Sequence, residues 1–217
     1  MRIRKYRKSD RGRVREICAD TALLGDPIDP FLPDRELWVD ANTKYYTDKE
    51  PESCFVAEDR GRVIGYLFGC VDSRRELSYR WRIAPSILGR VLLDILAARH
   101  LAEIKHLLHW FFTRYKFEMP YMPLHYAHLH INVVRSRRSK GVGAKLMKTY
   151  FEYLKKKRVK GVVAQVFKHG KQRSYQFFLQ QGFEVYLQVP NSLWKNFVPG
   201  EVYLVTMVKA LYHTPHK

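Results

Sequence analysis

Cysteine is scarce: Cys18, Cys54 and Cys70 are the only three in 217 residues. They stand far apart, with no CxxC and no Cys/His ligand spacing, so the pattern encodes neither a disulfide framework nor a zinc ribbon. Cys18 and Cys70 lie in apolar surroundings and read as small core residues. Long apolar runs are missing too. A spanning helix needs about 20 predominantly apolar residues, and Arg, His or Asp interrupts every candidate stretch. Met1-Arg-Ile-Arg-Lys-Tyr-Arg7 lacks a following apolar h-region, so the expectation is a reducing, cytoplasmic location. Acidic residues are few, 21 against 39 basic ones, which leaves a formal charge of +18. That surplus draws polyanions: nucleic acid, an anionic membrane or a phosphate-bearing cofactor. Nucleic-acid signatures are absent as well, so a basic nucleic-acid-binding module stays as an alternative resting on charge alone.

What is present is concentrated between Leu129 and Leu154. Leu129 to Val134 reads as a strand, with Leu129, Ile131 and Val133 on one face and His130, Asn132 and Val134 on the other. Val142, Leu146, Tyr150 and Leu154 then recur at helical spacing, reinforced by Met147 and Phe151, opposite Lys145, Lys148, Glu152 and Lys155. Between strand and helix stands Arg138-Ser139-Lys140-Gly141-Val142-Gly143-Ala144. The first N–H groups of a helix lack intrahelical partners, and its dipole favours an anion there. Gly141 and Gly143 let the backbone approach a bulky anion. Arg135, Arg137, Arg138 and Lys140 bring mobile positive charge to the same spot. The turn predicts a pyrophosphate cradle. It is neither a Walker loop, since no Gly-Lys-Ser/Thr closes it, nor a dinucleotide G-x-G-x-x-G.

Arg138-x-x-Gly141-x-Gly143/Ala144, after a strand and opening an amphipathic helix, resembles motif A of the GNAT superfamily of acyl-CoA-dependent N-acyltransferases. There the signature is Gln/Arg-x-x-Gly-x-Gly/Ala, and its backbone N–H groups bind the pyrophosphate of coenzyme A. The resemblance implies an α/β fold, a mixed central sheet whose cofactor strand splays from its neighbour to admit pantetheine, with flanking helices. It covers most of the chain, read as a single domain over 1–217 with a helical insertion at about 73–123. Gln172 to Gln181 followed by Gly182-Phe183 resembles the family's closing helix, commonly Asn-x-x-Ala-x-x-Phe-Tyr-x-x-x-Gly-Phe. Lys171 stands at the Asn, Ser174 at the Ala, and Phe178 at the Tyr that often protonates the leaving thiolate. Tyr175, one turn earlier, is the substitute candidate, with core packing as its other role.

The remaining chain fits this frame. Met1 to Tyr6 reads as an edge strand, and Ser9-Asp10 offers N-cap chemistry for a helix carrying Val14, Ile17 and Cys18. Gly25 to Pro33 is a loop, and Glu36 to Tyr46 is helical. Two apolar runs flank Glu58-Asp-Arg-Gly61 as a hairpin. Asp72 is either an acceptor-side group or a strand-end cap. Within the insertion, Ile87, Leu88, Val91, Leu92 and Ile95 have helical spacing, and so has a run from Leu101 to Tyr115. It reads as a lid, a homodimer contact or an interfacial helix on anionic lipid. Val162 to Phe167 should be a strand beside the cofactor strand, Val202 to Val208 a closing strand, and Leu211 to Lys217 a frayed tail.

His125, His128 and His130 invite a metal reading, but no carboxylate or cysteine stands at a companion spacing, and no metal is expected. His128-Leu-His130 resembles arylalkylamine N-acetyltransferases, whose paired histidines take part in proton removal. His-Leu-His-Ile-Asn-Val also resembles acetyltransferase-like domains related to O-GlcNAc hydrolases. Taken together, the resemblances imply direct acetyl transfer from the co-substrate acetyl-CoA to an amine, with no covalent intermediate. His130 is the first candidate base, because an imidazole ordinarily titrates near neutral pH. Asn132 orients the acceptor or a water, and the backbone N–H near Val133 polarises the thioester carbonyl. The cofactor set is Val133, Arg135, Arg138, Ser139, Lys140, Gly141, Val142, Gly143, Ala144 and Ser174. A GNAT-like domain that binds CoA without catalysis is the other alternative.

Overall fold

A computed structural model describes residues 1–32, 34–170 and 173–212. Among these residues seven strands form one sheet: β1 (Arg2–Lys5), β2 (Phe55–Asp59), β3 (Arg62–Cys70), β4 (Ala127–Val133), β5 (Gly161–His169), β6 (Glu184–Pro190) and β7 (Val202–Ala210). Their spatial order is β1-β2-β3-β4-β5-β7-β6. All neighbours are antiparallel except β4 and β5, which are parallel. The helices are α1 (Arg11–Ala19), α2 (Arg35–Lys49), α3 (Ser73–Leu96), α4 (Leu101–Thr113), α5 (Tyr115–Glu118), α6 (Val142–Lys156) and α7 (Arg173–Gln180).

The alternation of β4 divides the core in two. Ala127 and Leu129 join Leu146, Met147, Tyr150 and Leu154 of α6 on one face. Across the sheet Val14 and Ile17 of α1, with Leu37 and Tyr46 of α2, pack on Tyr66 and Phe68 of β3. β1 is an edge strand, as its short basic-apolar run suggests. The β2–β3 hairpin turns through Arg60 (φ 49°) and Gly61 (φ 77°). Two consecutive positive φ values match the right-handed strand twist, as in a type I′ turn.

Local chemistry sets the helix starts, with two changes from expectation. Asp34 caps α2, accepting the Leu37 N–H at 3.0 Å. Asp72 caps α3 by accepting the Arg74 N–H at 2.9 Å, a helix cap where a strand-end cap was expected. Asp10 does not cap α1. Its carboxylate accepts the Arg7 N–H and a bidentate pair from Arg4, because a guanidinium in reach outcompetes a distant amide.

The segment after β3 is helical. α3 lays Glu76, Tyr79, Ile83, Ile87 and Val91 toward the core. Glu118, buried at the end of α5, accepts the Trp110 indole N–H at 2.7 Å and the Ser192 N–H at 2.6 Å. That carboxylate ties the segment to the β6–β7 connection. β6 is absent from the pattern-based reading because Glu184 to Pro190 is exposed on both faces and carries no burial alternation. Residues 213–217 of the expected tail lie outside the described residues. None of the helices described is long and apolar enough to cross a membrane.

Candidate functional site

The site is a gap between two strands. β4 and β5 pair only at Ala127↔Val162 and His128↔Val163, although β4 runs on to Val133 and β5 to His169. Each strand is held by its other neighbour, β4 by β3 through Val133 and β5 by β7 through His169. The Val134 N–H donates to the Ile64 carbonyl at 3.0 Å. That register turns the backbone of His128, His130 and Asn132 toward β3, and the N–H groups of Ile131 and Val133 across the gap. The strands therefore splay, leaving two amide donors facing the opening. The Val133 carbonyl accepts Arg138 Nε at 3.1 Å.

The mouth of the gap is the start of α6. Gly141 occupies the N-cap position in the left-handed region, φ 73°, and Ser139 precedes it at φ 59°. No side chain caps this end, and no acidic residue lies in the first turn. The positive end of a 15-residue helix thus faces outward uncompensated by the chain. A Cβ on Gly141 would meet nothing within 4 Å, whereas one on Gly143 would stand 3.0 Å from Phe177 Cζ of α7. Open space in front of unpartnered helix amides, with cations nearby, fits a pyrophosphate.

The cradle arginines are less mobile than expected. Arg138 Nη2 donates to the Gly25 carbonyl at 2.7 Å, so Arg138 clamps the α1–α2 loop to the end of β4. Arg135 pairs with Asp26 at 3.0 Å and Arg137 with Asp59 at 2.8 Å. Lys140 stays exposed. Arg173 Nη1, at the start of α7, donates to Ser139 Oγ at 2.8 Å and adds a cation that the motif does not contain. These pairings join residues remote in sequence, and no local pattern announces them.

His128, His130 and Asn132 line the face of β4 that looks toward α2 and α3. Asn132 Nδ2 donates to the Tyr66 hydroxyl at 2.9 Å and lies 3.2 Å from His130 Nε2. With the amide donating to Nε2, the ring proton sits on Nδ1. That Nδ1 is enclosed and makes no hydrogen bond. His128 Nδ1 lies 2.9 Å from the Tyr46 hydroxyl. Tyr150 of α6 reaches through the sheet to donate to the His128 carbonyl at 3.0 Å and the Cys70 carbonyl at 3.1 Å. A Cβ at Gly69 would collide with that hydroxyl.

Above the histidines, α3 carries a Glu76–Arg80 ion pair with Glu76 buried. Burial, and then the neighbouring His128, push the His130 pKa down to about 4. Burial and the Arg80 charge push that of His128 down to about 3. Both residues are partly exposed, while Nδ1 of His130 is enclosed. This corrects the expectation of an imidazole titrating near neutral pH: the ring is neutral well below pH 7. Tyr46, Tyr66, Glu76 and Arg80 were not visible as site residues, because only the fold brings them to β4.

α7 ends as its sequence implies. The Phe183 N–H donates to the Phe178 carbonyl, and the Gly182 N–H to that of Leu179, with Gly182 at φ 77°. This is a Schellman stop. Phe178 is buried against Phe183, and Phe177 faces Gly143. Ser174 shares the Phe177 side of α7, one turn earlier. Tyr175 packs with Lys168 Nζ 5.1 Å from its ring centroid, on the face of β5 opposite Gln165. It is not brought together with His130. Lys171 lies outside the described residues. All three cysteines are buried, and burial raises each thiol pKa, so none is a ready thiolate.

Residues 26–183 match the family model described as the acetyltransferase (GNAT) family. No curated protein sequence matches the chain. Among solved structures, SsHAT superposes with a TM-score of 0.69 at 24% identity, covering 98% of each chain. The ribosomal-protein-alanine N-acetyltransferase from Brucella melitensis gives 0.57 at 16% identity, covering 97% of this chain and 99% of its own. The structure of yncA from Salmonella typhimurium with its cofactor acetyl-CoA gives 0.58 at 17% identity, over 100% of this chain and 97% of its own. At these identities the likeness to solved structures is one of fold.

Proposed function

This chain belongs to the GNAT acetyltransferase family, and from that premise we propose that it is an N-acetyltransferase, moving an acetyl group from acetyl-CoA directly to an amine. The observation that carries the proposal is the splay of β4 from β5 with the bare start of α6 at its mouth. When bound, acetyl-CoA supplies the activated acetyl thioester. The N–H groups of Val142, Gly143 and Ala144 hold its pyrophosphate, with Lys140 and Arg173 adding charge and Ser139 and Ser174 flanking the contact. In this reading the Val133 N–H polarises the thioester carbonyl. Arg138 and Arg135 hold the loop around the cradle rather than the anion itself.

The attacking amine must be neutral, so its proton has to leave. His130 on β4 is the candidate acceptor: its lowered pKa keeps the ring neutral at pH 7 but makes it a weak base, and its lone pair on Nε2 is reached only once Asn132 turns away. A weak base of this kind passes the proton onward rather than storing it. Asn132 sets the ring orientation through its contact with Nε2. Phe178 supplies no hydroxyl where the family often has Tyr, and Tyr175 packs elsewhere. Departure of the thiolate therefore relies on water or on its own low basicity.

The buried Phe178 also favours a second reading, a domain that binds CoA without turning it over. One experiment separates them. Calorimetry with acetyl-CoA is followed by thiol release from acetyl-CoA across small amines, amino sugars, peptide N-termini and lysine peptides. Binding plus thiol release with one acceptor class supports the enzyme. Binding with no release across the panel selects the second reading, and no binding removes both.

A further inference from the structure

The helical segment between β3 and β4 keeps its carboxylates inside and a set of cations outside. Glu76 and Glu118 are buried, and Asp94 and Glu103 are half-buried. Arg75, Arg82, Arg99 and Lys105 are exposed, and none of them has an ion pair or a side-chain hydrogen bond among the described residues. The same surface is apolar. Down the outer side of α3, Trp81, Leu88, Leu92 and Leu96 recur at helical spacing and are between 53% and 74% exposed. Ile95, Leu101 and Phe112, the last 79% exposed, carry the stripe onto α4 across a groove of about 580 Å³ that Lys105 and His109 also line. The exposed parts of these side chains amount to on the order of 1,000 Å², above the roughly 300–600 Å² of the largest patch on a typical monomer. Arg82 follows Trp81 at one edge of the stripe, with Arg75 two turns before it on the same side. Arg99 stands just past the end of α3, and Lys105 rises within the stripe on α4.

Stripe and cations together select the occupant. An anionic bilayer surface answers both: apolar side chains sink to the boundary of headgroups and acyl chains, while bordering Lys and Arg reach the lipid phosphates. Side chains this exposed stand out from the protein. A fluid medium parts around them, where a rigid partner would need a matching hollow for each. A second copy of this chain answers only the stripe. About a two-fold axis the face meets itself, setting its cations against like cations. No exposed carboxylate on α3 or α4 is there to receive them. A nucleic acid answers only the cations and leaves the leucines in water. The formal charge of +18 draws the whole chain toward an anionic surface. The contact is lateral, since none of the helices described is long and apolar enough to cross.

We propose that the outer face of α3 and α4 is a docking surface for anionic membrane lipid, with Trp81, Leu92, Leu96 and Phe112 inserted and Arg82, Arg99 and Lys105 at the lipid phosphates. α3 turns Glu76 inward and this stripe outward, so the proposal stands or falls independently of the acetyltransferase reading. The test is co-sedimentation of the full chain with vesicles of phosphatidylcholine carrying about 30% phosphatidylglycerol, against phosphatidylcholine alone, at roughly 0.15 M salt. The wild type should bind the anionic vesicles at least ~10-fold more tightly. Trp81 emission should shift to the blue as the indole leaves water, because Trp38, Trp110 and Trp194 are already buried or half-buried. Trp81→Phe should still bind and lose the shift. Leu92→Ser with Leu96→Ser, or Arg82→Glu with Lys105→Glu, should each weaken binding at least ~10-fold. These side chains project from the protein, so cooperative unfolding and acetyl-CoA affinity should stay at wild-type values. Lys155→Glu with Lys156→Glu makes the same change of net charge at the basic end of α6 and should alter binding less than ~3-fold. No binding to anionic vesicles overturns the proposal, and so does equal binding to both kinds or an unshifted Trp81. Loss of binding through Lys155 and Lys156 instead places the contact elsewhere and overturns it too. So does a dimer in sedimentation equilibrium that Leu92→Ser with Leu96→Ser dissolves, which assigns the face to a second copy.

Discussion

His130 shows most sharply how environment remakes a residue. In water its imidazole would hold a proton below about pH 6.5. Here burial lowers its pKa to about 4, and that of His128 to about 3. The unfolded chain takes up protons at both sites as pH falls below about 6.5, while the folded chain does not until about 4 or 3. Stability from these two groups is therefore level above pH 6.5 and is lost progressively as pH falls, down to about pH 4 for His130 and about pH 3 for His128. Urea unfolding across that range should show the decline, and His130→Gln should make it shallower. The same variant should lower the acetylation rate by ~10²–10⁴ if His130 accepts the proton. Because the ring is neutral throughout pH 6–9, the loss should be uniform across that window, without removal of an inflection. A folded His130→Gln with wild-type rates would transfer the role to a water relay. The sequence offered His130 as a candidate but not its depressed pKa, since the burial and the Arg80 charge arrive from α2 and α3.

At the scale of elements, α6 was the most legible piece, because motif, capping geometry and amphipathic repeat all fall within one continuous stretch. Gly143→Asp should abolish acetyl-CoA binding in calorimetry, since the new side chain meets Phe177 and adds an anion at the helix start. Gly141→Ala is the milder probe: the space is open, but φ 73° disfavours any Cβ. It should weaken binding while leaving the melting temperature within a few degrees. Gly182→Ala tests the stop of α7, where the positive φ should cost about 1 kcal/mol in urea unfolding without touching the cradle. The hairpin turn and α7's ending were equally readable from local chemistry. β6 was not, because an edge strand exposed on both faces has no alternation to read. Nor was the Arg173–Ser139 contact, which spans 34 residues and depends on how α7 docks beside α6.

For the whole molecule, the sequence carried the sheet's two halves and their meeting at β4, and the splay between β4 and β5 followed only through the family resemblance. Composition gave the basic surplus but not its distribution, and much of the charge around the cradle proves to be spent on internal pairs such as Arg135–Asp26 and Arg137–Asp59. Arg138 was read as a mobile anion ligand, whereas the fold uses it as a strut across 113 residues of chain to Gly25. That strut makes the α1–α2 loop and the cradle loop a single mechanical piece. If the amine docks against the α1–α2 loop, the influence is reciprocal in binding: the factor by which acetyl-CoA tightens the amine equals the factor by which the amine tightens acetyl-CoA. In calorimetry this appears as synergy between the two substrates, each binding more tightly when the other is saturating. Arg138→Met should erase that synergy and leave two substrates that ignore each other.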